Sequence, residues 1–181
     1  MSPAPMPRET PLARQRVPIR LTSFIPRSRS KVVFAIAMAC YGWTLGSLIG
    51  AWARALHVAN PPPAFYWATS GGPAENLVGL LIFAPVVESL LLIGVLELLL
   101  LARAPTIVQV LIPALFISEM HVWPWWPHAV LVAPAFCIQA ASYLYWCRSS
   151  RKVAYWIIVL IHALNNSIPA LAYIGYATRH A

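Results

Sequence analysis

Only five of the 181 residues are acidic. Two of them, Glu88 and Glu97, stand inside "APVVESLLLIGVLE", residues 84–97, a run that is otherwise almost purely apolar. Further along, "HALNNS" sets His162 and Asn166 four residues apart, stacked on one face of any helix that carries them. "LFISEMHVW" adds Glu119 and His121. A carboxylate and two imidazoles can relay protons, and a His and Asn at this spacing can act on one small object or bond a neighbouring helix. Two His and one Glu are also a ligand set of hydrolytic zinc. The elements that carry these residues decide among such chemistries.

Composition identifies those elements. With 60% hydrophobic residues, 10% charged residues and a mean hydropathy of +0.68, the chain is not a soluble domain. A bilayer core of about 30 Å needs roughly 20 apolar residues per helix. Runs of that kind lie at about 32–56, 74–102, 105–122, 128–147 and 153–176. The expectation is an all-α, polytopic transmembrane helix bundle of about five spans, the third and fourth being short. Seven of the thirteen basic residues precede the first run: Arg8, Arg14, Arg16, Arg20, Arg27, Arg29 and Lys31. A cytoplasmic N-terminus also puts Arg103, Arg148, Arg151 and Lys152 inside, leaving Arg54 and Arg179 outside. Topology and anionic headgroups thus account for the net charge of +8. Membrane lipids, and not nucleic acid, are the expected partners.

Depth then sorts the polar residues. A charge near the bilayer centre costs at least about 2.5–3.5 kcal/mol, so it needs a partner or a purpose. Glu88 falls at the middle of the second run. Glu97, nine residues on, faces the opposite side near the cytoplasmic end, where it reaches headgroups or pairs with Arg103. Glu119 sits about 200° around its helix from His121. At 1.5 Å per residue, Glu88, His121, His162 and Asn166 rise about 21, 24, 14 and 20 Å from the cytoplasmic ends of their spans. Four polar groups from three helices therefore share one layer, and bringing only one of them inward would leave the others unsatisfied in lipid.

Residues 1–31 are rich in Pro, Arg and Ser and read as a disordered basic cytoplasmic tail, a composition shared with organellar transit peptides. Residues 32–178 form a single membrane domain. "NPPPAFYWATSGGP" and "WPWWPH" read as outer connections with interfacial aromatics. Cys40, Cys137 and Cys147 match no metal knuckle or disulfide spacing and read as packing residues.

The order of a Glu motif, an aromatic-to-His motif and His-x-x-x-Asn, each on its own membrane helix, resembles the CAAX-processing and bacteriocin-processing intramembrane proteases, the type II CAAX prenyl endopeptidase family. That family's first motif is a Pro shortly before Glu-Glu-x-x-x-Arg. Here Pro85 and Glu88 are present, while Ser89 and Ile93 replace the second Glu and the Arg. Its second motif is Phe-x-x-x-His, whereas Phe116 stands five residues before His121 and Ile117 takes the expected place. "HALNN" fits the third motif with His162 and Asn166. The resemblance spans about residues 75–170 and rests on order and spacing.

The resemblance implies a glutamic-type intramembrane endopeptidase. Glu88 and His121 would activate water, and His162 and Asn166 would bond the oxyanion. No cofactor is then required; the alternative is zinc on Glu88, His121 and His162, although His-Glu-x-x-His is absent. The implied substrate is a membrane-anchored or lipidated protein or peptide that loses a C-terminal segment, and the implied setting is a bacterial inner membrane. Two non-enzymatic alternatives stand beside it: a catalytically silent immunity or scaffold relative, and a small proton-coupled transporter.

Overall fold

The computed structural model describes residues 30–56, 72–122 and 126–180. Residues 1–29 of the expected disordered tail and most of the two aromatic connections lie outside these residues, while Ser30 and Lys31 of that tail already cap and open the first helix. Within them the chain is all-α, with five helices: α1 (Lys31–Ala55), α2 (Pro73–Leu101), α3 (Thr106–Glu119), α4 (Pro127–Trp146) and α5 (Arg151–His180). α1, α2, α4 and α5 are long and apolar enough to cross a membrane. α3 spans about 21 Å at 1.5 Å per residue, short of a hydrocarbon core of about 30 Å. It stops before the expected residue 122 because its last turn tightens, with Met120 N–H bonding Ile117 O and His121 N–H bonding Ser118 O.

Local chemistry sets the other ends. The Ser30 hydroxyl accepts from Val33 N–H and caps α1. Pro73 opens α2, and Glu75 reaches back to accept from Gly72 N–H at 3.1 Å. α2 closes with Ala104 N–H on Leu99 O and Arg103 N–H on Leu100 O, a Schellman turn in which Arg103 takes the left-handed conformation at φ 55°. Pro105 then redirects the chain into α3.

α1 packs on α4 and α5, α4 on α3 and α5, and α2 on α3 and α5. Leu92 and Leu96 of α2, Ala114 and Ile117 of α3, and Tyr143 of α4 meet Ile158 of α5 in one apolar core. A second core seats Phe34, Ala35, Met38 and Ala39 of α1 against Ile157 and Ile161. Lipid is as apolar as leucine, so close backbone approach replaces the hydrophobic effect as the force between such helices. Gly46 supplies it for α1: a Cβ there would come within 3.3 Å of Leu131 O on α4. Large apolar side chains such as Leu48, Trp52, Leu98, Leu101, Leu115 and Leu171 point outward, as a bundle surrounded by lipid requires.

Glu97 corrects one expectation. Its partner is not Arg103, which is held in the α2–α3 turn, but Arg151 at the start of α5. Arg151 Nε lies 3.0 Å from Glu97 Oε1 and Nη2 lies 3.0 Å from Oε2, a bidentate fork. Tyr143 O–H donates to the same carboxylate. Glu97 thereby ties α2, α4 and α5 together at one end of the bundle.

Candidate active site

The walls of the site begin with a proline. In α2 the segment Gly79–Phe83 widens into a π-helical turn, and Ala84 N–H bonds back to Gly79 O. The next residue in this register, Pro85, has no N–H to offer Leu80 O. Asn166 of α5 satisfies that carbonyl instead, with Nδ2 at 2.9 Å. The contact fixes α5 against the turn that leads into Glu88, three residues beyond Pro85.

Glu88 Oε2 is buried and has no hydrogen-bond partner among the described residues. It lies 3.6 Å from His121 Nε2 and 3.6 Å from His162 Nε2. His121 sits just past the end of α3, and its ring folds back so that Nδ1 is 2.9 Å from Ile117 O. A carbonyl can only accept, so Nδ1 carries the hydrogen and, in the neutral ring, Nε2 presents its lone pair toward Glu88. His162 is 4% exposed, and its Nδ1 has no partner among the described residues. Phe136 of α4 holds both rings in place. Its centroid is 5.5 Å from that of His121 and 5.4 Å from that of His162, the latter edge-on.

Glu88, His121, His162 and Asn166 all line one cavity of about 570 Å³ walled by residues of α1, α2, α4 and α5 and the end of α3. The structure thus brings two of the four, His121 and His162, to one carboxylate oxygen of a third, Glu88, and commits the fourth, Asn166, partly to the backbone of α2. One Asn166 amide hydrogen remains for another acceptor. Glu119 is exposed and stands apart from the cavity. Ser89 and Ile93 do not line it either: Ser89 is fully buried, and Ile93 packs against the larger core.

Three further residues enter the cavity wall without having been singled out from the sequence. His128, in the first turn of α4, stacks edge-on against His121 with centroids 5.3 Å apart. "WPWWPH" had shown it as the end of an aromatic belt. Gln139 of α4 is 1% exposed, and its Oε1 has no partner among the described residues. The Asn165 carboxamide is buried at both Oδ1 and Nδ2, again with no partner among them. The adjacent pair in "HALNN" was the available signal for Asn165; Gln139 had none.

In apolar surroundings each unsatisfied buried polar group costs about 1–3 kcal/mol or more. Glu88, Gln139, His162 and Asn165 bring such groups from three helices to one cavity, where a polar molecule could satisfy them. A carboxylate beside an imidazole lone pair can bind a water and take its proton. An imidazole N–H and a carboxamide N–H across the same cavity can bond a developing negative oxygen. No group of three or more His, Cys, Asp or Glu side chains among the described residues is placed to hold a metal ion. Comparison of the chain with protein-family models, with curated proteins and with solved structures finds no match.

Proposed function

We propose that this protein is an intramembrane endopeptidase that hydrolyses a peptide bond of a membrane-anchored or lipidated substrate, using water and protein groups alone. The observation that carries the reading is the Glu88 oxygen, buried, without a hydrogen-bond partner among the described residues and 3.6 Å from two imidazole nitrogens in one cavity.

In this mechanism water binds between Glu88 and His121. Glu88 takes one proton, and the hydroxide so formed adds to the carbonyl carbon of the scissile bond. His162 Nε2–H and the free amide hydrogen of Asn166 bond the resulting oxyanion. As the C–N bond breaks, the proton on Glu88 passes to the leaving nitrogen, and the carboxylate is regenerated. The motif order in the sequence supports the same assignment, and trimming of a C-terminal sorting or processing segment is its proposed task. The proposed setting is a bacterial inner membrane with the basic N-terminal region in the cytoplasm.

One observation favours a second reading, a catalytically silent relative. Where the resembled family has a supporting Glu and Arg, this chain has Ser89 and Ile93, which serve packing. Comparing protein C-termini in the membrane and secreted fractions of host cells separates the two. The host strains carry the intact gene, a deletion or Glu88→Gln. Retained C-terminal segments in both the deletion and the Glu88→Gln strain are expected of the enzyme. A deletion effect that Glu88→Gln fully rescues overturns it.

A further inference from the structure

Asn165 stands apart from the four residues of the proposed reaction. It is one residue short of Asn166 and three beyond His162, which places it about 4.5 Å further along α5 than the imidazole. An extended chain advances about 3.3 Å per residue, so a substrate running alongside α5 would meet Asn165 about one to two residues from the reacting bond. α1 shapes the space around it. A Cβ at Gly42 would come within 3.0 Å of Asn165 Oδ1 and 3.3 Å of Nδ2, and Trp43 Nε1 donates to Asn165 O at 3.1 Å. The absence of a side chain at Gly42 therefore leaves room for the carboxamide, while Trp43 holds its backbone.

A carboxamide offers one donor side and one acceptor side, and here neither has a partner among the described residues. Its complement is another amide: Oδ1 accepts a peptide N–H and Nδ2 donates to a peptide C=O. Exchanging Oδ1 and Nδ2 changes nothing, because either orientation presents one of each. Gln139 Oε1, buried and likewise without a partner among the described residues, adds an acceptor on the α4 side of the same cavity. Helical peptide groups spend both N–H and C=O on their own helix, so only an unwound stretch can satisfy such a wall.

We infer that Asn165, in the space left by Gly42, binds a backbone peptide group of the substrate next to the scissile bond, so that the substrate is a polypeptide held in extended form. The placement beside a scissile bond rests on the protease reading; the peptide-binding site stands on its own geometry. Residues of both α1 and α2 wall the cavity; α4 and α5, which also line it, both pack on α1, and α5 packs on α2 as well.

The test uses the full chain in vesicles of phosphatidylethanolamine and phosphatidylglycerol. The probe is a fluorescent membrane-spanning peptide with a central Gly-Ser-Gly stretch, together with analogues in which single backbone N–H groups are replaced by ester oxygens. Binding is measured on the Glu88→Gln chain and cleavage on the native one. Replacement at one position is expected to weaken binding about tenfold, as loss of one buried hydrogen bond does. Asn165→Ala should weaken binding by a similar factor and abolish sensitivity to that ester. Gly42→Ala should do the same with Asn165 still present, and thermal unfolding of both variants in detergent separates loss of the carboxamide contact from loss of fold. Absent binding, or binding indifferent to the ester and to both substitutions, overturns the inference whether or not the peptide is cut. Asn165-dependent binding with no cleavage sustains it and overturns the catalytic reading alone.

Discussion

Asn166 and Leu80 meet across two helices: the carboxamide of one donates to the backbone carbonyl of the other at 2.9 Å, at the turn where Pro85 supplies no N–H. A residue expected to serve chemistry thus also repairs the backbone of the helix that carries Glu88. One of its two amide hydrogens makes that repair, and the other is left for the proposed reaction.

That division makes Asn166 and Pro85 energetically coupled. Asn166→Ala leaves the Leu80 carbonyl unpaired and is expected to cost about 1–3 kcal/mol. In a Pro85→Ala background, where an intrahelical N–H becomes available, the same substitution should cost less than about 1 kcal/mol. Thermal unfolding of the four variants in detergent measures the cycle. Equal costs in both backgrounds would show that Pro85 is not what leaves Leu80 O in need of a partner.

Glu88→Gln should abolish peptide cleavage, by more than about a hundredfold if the carboxylate is the general base. The melting temperature should hold or rise, since a buried carboxylate oxygen with no hydrogen-bond partner among the described residues is removed. Cleavage by the native chain should survive prolonged dialysis against a chelator. Loss on chelation with recovery on adding zinc would transfer Glu88, His121 and His162 to a metal-dependent mechanism.

At the other carboxylate the expected effects concern stability and not turnover. Arg151 is more than half exposed, so Arg151→Ala should cost no more than about 1 kcal/mol. Tyr143 is 1% exposed and bonds the same carboxylate from within. Tyr143→Phe should cost about 1.5–3 kcal/mol, the range for hydrogen bonds to charged groups. Unfolding in detergent gives both numbers, and the reverse ranking would mean that the exposed fork, not the buried phenol, holds Glu97.

Two glycines give a contrast in packing. Gly46→Leu drives a side chain against Leu131 O and should loosen α1 from α4, lowering stability by about 1–3 kcal/mol. Gly94→Ala on exposed α2 surface meets nothing within 4 Å and should gain about 0.5–1 kcal/mol from lower unfolded-chain entropy. Both follow from the same melting assay. A neutral Gly46→Leu would show that α1 does not depend on this close approach.

Much of this arrangement could be read from the chain alone. The cost of a polar group in lipid singled out Glu88, His162 and Asn166, because apolar runs around them left few other reasons for their presence. The run lengths gave the number of helices, and Pro and Gly punctuation placed most boundaries within a few residues. The short end of α3 departed from this because i→i−3 bonds closed it early, a backbone choice that side-chain hydropathy does not record. The direction in which a helix turns is a different matter. α2 is apolar all the way round, so its periodicity names no inward face, and the sequence allowed Glu97 to look outward to Arg103 when packing turned it to Arg151 and Tyr143.

Hidden for the same reason were His128, Gln139 and Asn165, which line the same cavity as Glu88. Sequence fixes depth, because each residue advances about 1.5 Å along its helix whatever surrounds it. Rotation and partnership follow from contacts between distant segments. Here they were decided by Gly46 against Leu131, by Phe136 between two imidazoles and by a carbonyl that Pro85 left for Asn166.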